Sequence, residues 1–129
     1  MKIDHLAIWA KDLEEMKSFY EYYFNAKASD VYSNPVKNFQ SYFLSFENGC
    51  RLEIMHNPNV PASNNSVTDQ NIGLIHFAIA AGSKEKVDSL TKKLSDDGYS
   101  VIGHPRTTGD GYYESVILDP EHNRIEITI

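Results

Sequence analysis

A chain of 129 residues with 41% hydrophobic and 12% aromatic content can build one domain-sized core, which argues against disorder. The net charge of −6 is dispersed, with lysines among the acids in both halves, so no basic stripe follows a phosphate backbone and nucleic acid is not an expected partner. No apolar run reaches bilayer length, the first five residues lack a signal-peptide pattern, and the lone cysteine excludes an internal disulfide; a cytoplasmic chain with no membrane partner is expected.

From the N-terminus, Ile3 to Trp9 alternates as a strand, with Leu6 and Ile8 on one face and His5, Ala7 and Trp9 on the other. Asp12 followed by Glu15 has the form of a capping box, and Leu13, Met16, Tyr20, Tyr23 and Phe24 recur at helical spacing, which predicts a helix with a core-facing stripe. Residues 25–38 read as a short strand and loop, and Phe39 to Glu47 as the next strand. Asn48-Gly49, both tolerant of positive φ, predicts a hairpin into Cys50–His56. There Cys50, Leu52 and Ile54 share one face, and Arg51, Glu53 and Met55 the other. Cys50 is thus a small packed hydrophobe rather than a nucleophile.

Residues 58–71 are rich in Pro, Asn and Ser and carry no aliphatic period, so they read as a linker between module 1 (1–57) and module 2 (72–129) of one domain. The pattern then restarts. Ile72 to Ala80 predicts a strand with Ile75, Phe77 and Ile79 opposite His76 and Ala78. Ser83 is the N-cap of a helix with Val87, Leu90 and Leu94 as its stripe, ending near Gly98. Tyr99 to Ile102 reads as a strand, Gly103 to Gly111 as a flexible loop, and Tyr112 to Asp119 as the next strand. Asp119-Pro120 through Asn123 is turn chemistry, and Arg124 to Ile129 alternates as the last strand, with Ile125, Ile127 and Ile129 opposite Glu126. Each half reads strand, helix, then three strands, an α+β arrangement of two βαβββ modules.

The halves also repeat in detail. Asp4-His5-Leu6-Ala7-Ile8 echoes Ile75-His76-Phe77-Ala78-Ile79, and Arg51-Leu52-Glu53-Ile54 echoes Arg124-Ile125-Glu126-Ile127, at offsets of 71 and 73 residues. A histidine in each first strand and a glutamate in each last strand lie opposite the bulky aliphatics. A lone strand histidine is usually a hydrogen-bonded partial-core residue, and a lone glutamate usually faces water. Their matched placement instead points to a shared ligand set, His5, Glu53, His76 and Glu126, suited to one divalent metal per site: zinc or nickel foremost, otherwise cobalt, manganese or iron. His56, His104 and His122 have no counterpart in the other repeat and read as surface or loop residues. Arg106 either meets an anionic substrate or solvates its loop.

These motifs, with the Phe19-Tyr20 pair and Asp119-Pro120 through Glu126, resemble the vicinal oxygen chelate superfamily along the whole chain, and within it glyoxalase I (lactoylglutathione lyase). The resemblance implies two βαβββ modules whose sheets curve into an open, mixed sheet holding one metal, with His5, Glu53, His76 and Glu126 on the family's ligand positions. It further implies a lyase or isomerase that acts on a small substrate with vicinal oxygens, such as a hemithioacetal, through a metal-stabilised enediolate, with Glu126 as catalytic base and Glu53 as ligand and second proton carrier. A homodimer is implied as well. Asn57 matches a glutathione-contacting position, whereas Trp9 stands where bacterial glyoxalases usually carry an arginine, so the thiol is expected to differ from glutathione. His122 occupies a common turn-glycine position. The alternatives are a binding protein without chemistry, like the bleomycin resistance proteins, and an iron-dependent dioxygenase. Binding-only relatives generally lack the four ligands, and the dioxygenases use two histidines and one carboxylate, so the full set favours the lyase reading.

Overall fold

The computed structural model describes residues 1–129 as two compact units, Met1–Ala62 and Ser63–Ile129, divided within the stretch read as a linker. The elements run β1 (His5–Trp9), α1 (Leu13–Phe24), β2 (Lys27–Ala28), β3 (Tyr32–Asn34), β4 (Phe39–Ser45) and β5 (Arg51–His56) in the first unit. The second holds β6 (His76–Ala80), α2 (Lys84–Asp96), β7 (Val101–Thr107), β8 (Tyr113–Leu118) and β9 (Arg124–Thr128). The strands form two separate open sheets. One has the order β1-β5-β4-β2, with β3 also on β4; the other is β6-β9-β8-β7. In each, the first strand lies parallel to the last and the remaining pairs are antiparallel. The second unit has the βαβββ order, whereas in the first the strand after the helix is broken into β2 and β3.

In the first unit Asp12 caps α1, its carboxylate accepting from the N–H groups of Glu14 and Glu15 at 3.0 Å, and Asn25 ends the helix in the left-handed region. Leu13, Met16, Phe19 and Tyr20 are buried with Tyr42, Leu44, Leu52 and Ile54, which accounts for one face of the sheet. The opposite face carries His5, Trp9 and Glu53. In the second unit Ser83 caps α2 and Val87, Thr91 and Leu94 are buried with Ile117, Ile125 and Ile127. Leu90, expected in that stripe, is only half-buried. Thr91 takes the place because its hydroxyl, which would be costly unpaired, donates to Val87 O and lies 2.6 Å from Ser115 Oγ.

Four expectations are corrected. First, β6 begins at His76, not Ile72: Gly73 at φ +143° breaks the extended run and leaves Ile72 and Leu74 exposed. Second, Gly103–Thr107 is strand rather than loop. It is irregular because β7 is an edge strand with two register shifts, and Pro105 has no N–H to give to a ladder. Third, the Asn48-Gly49 hairpin is wider than a two-residue turn. Only Gly49 adopts positive φ, and the β4–β5 register pairs Leu44 with Leu52, which keeps both on the core face. Cys50 consequently precedes β5 and is half-buried. Fourth, the aliphatic face of β9 ends at Ile127, since Ile129 lies beyond the strand and is exposed. No helix is long and apolar enough to cross a membrane.

Candidate metal and substrate site

Parallel pairing places each glutamate beside its histidine. In the first unit Ala7 pairs with Glu53, so Glu53 sits diagonally across from His5; in the second Ala78 pairs with Glu126 and leaves it diagonal to His76. His5 Nε2 lies 3.9 Å from Glu53 Oε2, and His76 Nε2 lies 3.3 Å from Glu126 Oε1. The alanines add almost no bulk beside the carboxylates. Both histidine side chains are about 40% exposed and both glutamates mostly buried, so the imidazoles remain reachable from solvent.

The donors fit a small divalent ion. Two donors each about 2.1 Å from one zinc at a tetrahedral angle stand roughly 3.4 Å apart, which the 3.3 Å of the second pair matches, whereas the 3.9 Å of the first pair is wider and would have to close on a bound ion. Neither unit by itself gathers three or more His, Cys, Asp or Glu side chains that could hold a metal. What each unit brings together is half of the expected set.

The surroundings of the two pairs differ. His5 Nδ1 lies 3.0 Å from Asp4 Oδ2, which also accepts from the Arg51 guanidinium, and the His5 ring meets Phe43 edge-on at 5.3 Å. The His5 hydrogen bond, followed by the bond and charge of Arg51, holds the Asp4 carboxyl below its usual range. Arg51 also stacks over Phe43, 4.4 Å from the ring centre. In the second unit Ile75 stands where Asp4 does, and Arg124, the counterpart of Arg51, donates to the carbonyls of Ser66 and Val67.

Trp9 shares the His5 face, about 13 Å along the strand, and is 46% exposed. It meets Phe39 edge-on, and Phe39 in turn contacts Tyr32, forming an aromatic row that sequence reading missed. The alternation of Phe39, Ser41 and Phe43 opposite Glu53 and Met55 was the available signal. Asn57 accepts from Asn59 N–H in its own turn, and its amide donates to Lys37 O of the loop before β4; both bonds are exposed. Arg106 lies in β7, paired with Glu114 at 3.5 Å and half exposed. A Cβ on Gly103 would come within 3.1 Å of both Arg106 Nη1 and Val116, the β8 partner of Glu126, so a side chain at this position would crowd both. Of the remaining histidines, His56 bonds Ala10 O, His104 is exposed, and His122 takes positive φ in the turn built around the buried Asp119.

Two modules of matching strand order, each with a His–Glu pair on its first and last strands, define a glyoxalase-like α+β protein of the vicinal oxygen chelate class. The family model for the Glyoxalase/Bleomycin resistance protein/Dioxygenase superfamily matches residues 2–127, and the chain belongs to that superfamily. Its members are often enzymes and commonly bind a divalent metal. A stretch of 59 residues is 41% identical to the uncharacterized protein YqjT of Bacillus subtilis strain 168, covering 43% of this chain and 46% of that one. Among solved structures, a glyoxalase I mutant from Zea mays superposes with a TM-score of 0.79 at 21% identity over 98% of this chain, which spans 44% of the maize chain. The trypanothione-dependent glyoxalase I of Leishmania major gives 0.76 at 18% identity, with 99% and 86% covered. A glyoxalase family protein from Enterococcus faecalis gives 0.79 at 23%, with 99% and 97% covered. At these identities the structural likeness speaks for the fold.

Proposed function

We propose that this chain is a metal-dependent, glyoxalase I-like lyase or isomerase acting on a small substrate with vicinal oxygens. The observation that carries the reading is the pair of equivalent His–Glu diagonals, His5 with Glu53 and His76 with Glu126, at one register position of two parallel strand pairs. The proposed ligand set is these four residues, with zinc or nickel as the first candidates. When bound, a divalent ion supplies Lewis-acid stabilisation of negative charge on the substrate's adjacent oxygens, worth several kcal/mol.

The chain's own groups divide the remaining work. Glu126, between Ala78 and Val116 in the sheet, takes the carbon-bound proton as general base. Glu53 serves as ligand and as carrier for the proton's return. Trp9 and the aromatic row behind it receive the substrate's distal end, favouring an apolar or aromatic group over a carboxylate. Arg106 is the cation proposed to meet an anionic substrate atom, and Asn57 a polar contact near the Trp9 end. A homodimer is proposed as the working assembly; a monomer mass by light scattering of the metal-loaded protein at micromolar concentration would rule it out.

The test is elemental analysis after reconstitution with zinc, nickel, cobalt and manganese, followed by a turnover screen with methylglyoxal and a panel of thiols. About one metal per chain with isomerisation of at least one hemithioacetal is the expected result. Binding of small molecules without turnover by the loaded protein would instead support a sequestering role.

A further inference from the structure

The two half-sites differ in what stands behind the histidine. Asp4 Oδ2 meets His5 Nδ1 at 3.0 Å and is itself engaged by Arg51, whose guanidinium carbon lies over the Phe43 ring, 4.4 Å from its centre. An ionised carboxylate only accepts hydrogen bonds, so His5 Nδ1 must carry the proton. In the neutral ring this leaves Nε2, the nitrogen facing Glu53 at 3.9 Å, with its lone pair free to coordinate. Phe43 touches both members of the assembly, edge-on to His5 and face-on to Arg51, and so limits ring rotation. The repeat supplies an internal contrast: Ile75 offers His76 no carboxylate, and Arg124 is turned to the backbone of Ser66 and Val67.

From this geometry we infer that Asp4, fixed by Arg51, is a positioning residue that holds His5 in the Nδ1–H tautomer with Nε2 set toward Glu53, making the first half-site the pre-organised one. The inference rests on the proposed ligand role of His5 and adds a residue that touches neither metal nor substrate. Removal of a partner of this kind typically lowers metal affinity by roughly 10- to 100-fold.

Two measurements on the full chain test it, with Asp4→Asn and Arg51→Met as variants and Glu47→Gln, an exposed acid elsewhere in the same unit, as the charge control. The first is the His5 tautomer in metal-free protein, read from imidazole nitrogen shifts by NMR. Wild type and Glu47→Gln should show the Nδ1–H form, and Asp4→Asn a mixed or inverted population, with folding of each variant checked by its amide spectrum. The second is zinc affinity by competition with a chromophoric chelator, where Asp4→Asn should bind about 10-fold or more weakly. Arg51→Met should move both readouts in the same direction by less. An unchanged tautomer in Asp4→Asn, or zinc affinity within twofold of wild type, overturns the inference. If wild type binds no metal while the tautomer follows Asp4, the metal reading has failed and the positioning of His5 by Asp4 stands.

Discussion

His76 Nε2 lies 3.3 Å from Glu126 Oε1, whereas His104 sits three strands away in the same sheet, on the irregular edge strand β7. The two histidines should therefore behave differently toward metal. At zinc concentrations near 100-fold above the dissociation constant, wild type should gain about 2.7 kcal/mol of stability, seen as a rise in Tm that a chelator reverses. His76→Ala should lose most of that rise, and His104→Ala should keep it. Equal responses in the two variants would remove His76 from the ligand set.

Much of this site was legible in the sequence because a period-two strand fixes sidedness without any tertiary information. His5 and Glu53, or His76 and Glu126, fall opposite the aliphatics by parity alone, and the repeat matches the two pairs. Interactions that depend on strand neighbours were harder to read. The partnership of Asp4 with Arg51 joins residues 47 apart in sequence and exists only because β1 lies parallel beside β5. The strand at Gly103–Thr107 was hidden for the opposite reason: Gly, Pro and an edge position erase the alternation that marks a strand. Thr91 was passed over in favour of Leu90 because hydrophobic spacing ignores a hydroxyl whose buried partners come from the helix and from β8.

That hydroxyl gives a stability prediction. With Thr91 donating to Val87 O, the Ser115 hydroxyl donates to Thr91, and both residues are buried. Thr91→Val keeps the volume but strands the Ser115 O–H, which should cost about 1–3 kcal/mol. Adding Ser115→Ala removes the stranded group, so the double variant should be more stable than Thr91→Val alone. Chemical denaturation of the four proteins of this cycle measures the coupling, and strict additivity would contradict the pairing.

A second cluster sets a pH dependence. Glu14 bonds Lys17 at 2.6 Å and accepts from the Tyr42 hydroxyl at 2.5 Å, and these bonds, Lys17 first, hold its pKa below the ordinary glutamate value. A depressed folded pKa contributes stability above the unfolded pKa, and this is lost as pH falls through the folded value. Lys17 shifts the other way, raised chiefly by its bond to Glu14, so its share is present below its unfolded pKa and lost as pH rises through the folded one. Glu14→Gln should therefore lower Tm at neutral pH by a small amount, typical of an exposed pair, with the difference from wild type closing in acid. A Tm difference that persists unchanged as pH is lowered well below the ordinary glutamate range would show that the loss is not electrostatic.

The last prediction concerns the distal end of the substrate. Trp9 lies on the His5 face about 13 Å along β1, is 46% exposed, and is braced edge-on by Phe39. An indole offers stacking area and one donor but no charge, so it cannot hold a carboxylate as an arginine fork does. With the proposed lyase activity, wild type should turn over the glutathione hemithioacetal poorly and should prefer a thiol with an apolar or aromatic tail. Trp9→Arg should raise kcat/KM for the glutathione substrate, and because the new contact is remote from the reacting carbon, the gain should appear mainly as a lower KM. Phe39→Leu, which removes the brace but no charge, should weaken the aromatic preference without improving use of glutathione. Efficient wild-type turnover of the glutathione substrate, with KM below about 1 mM, would show that the Trp9 face does not select against a distal carboxylate.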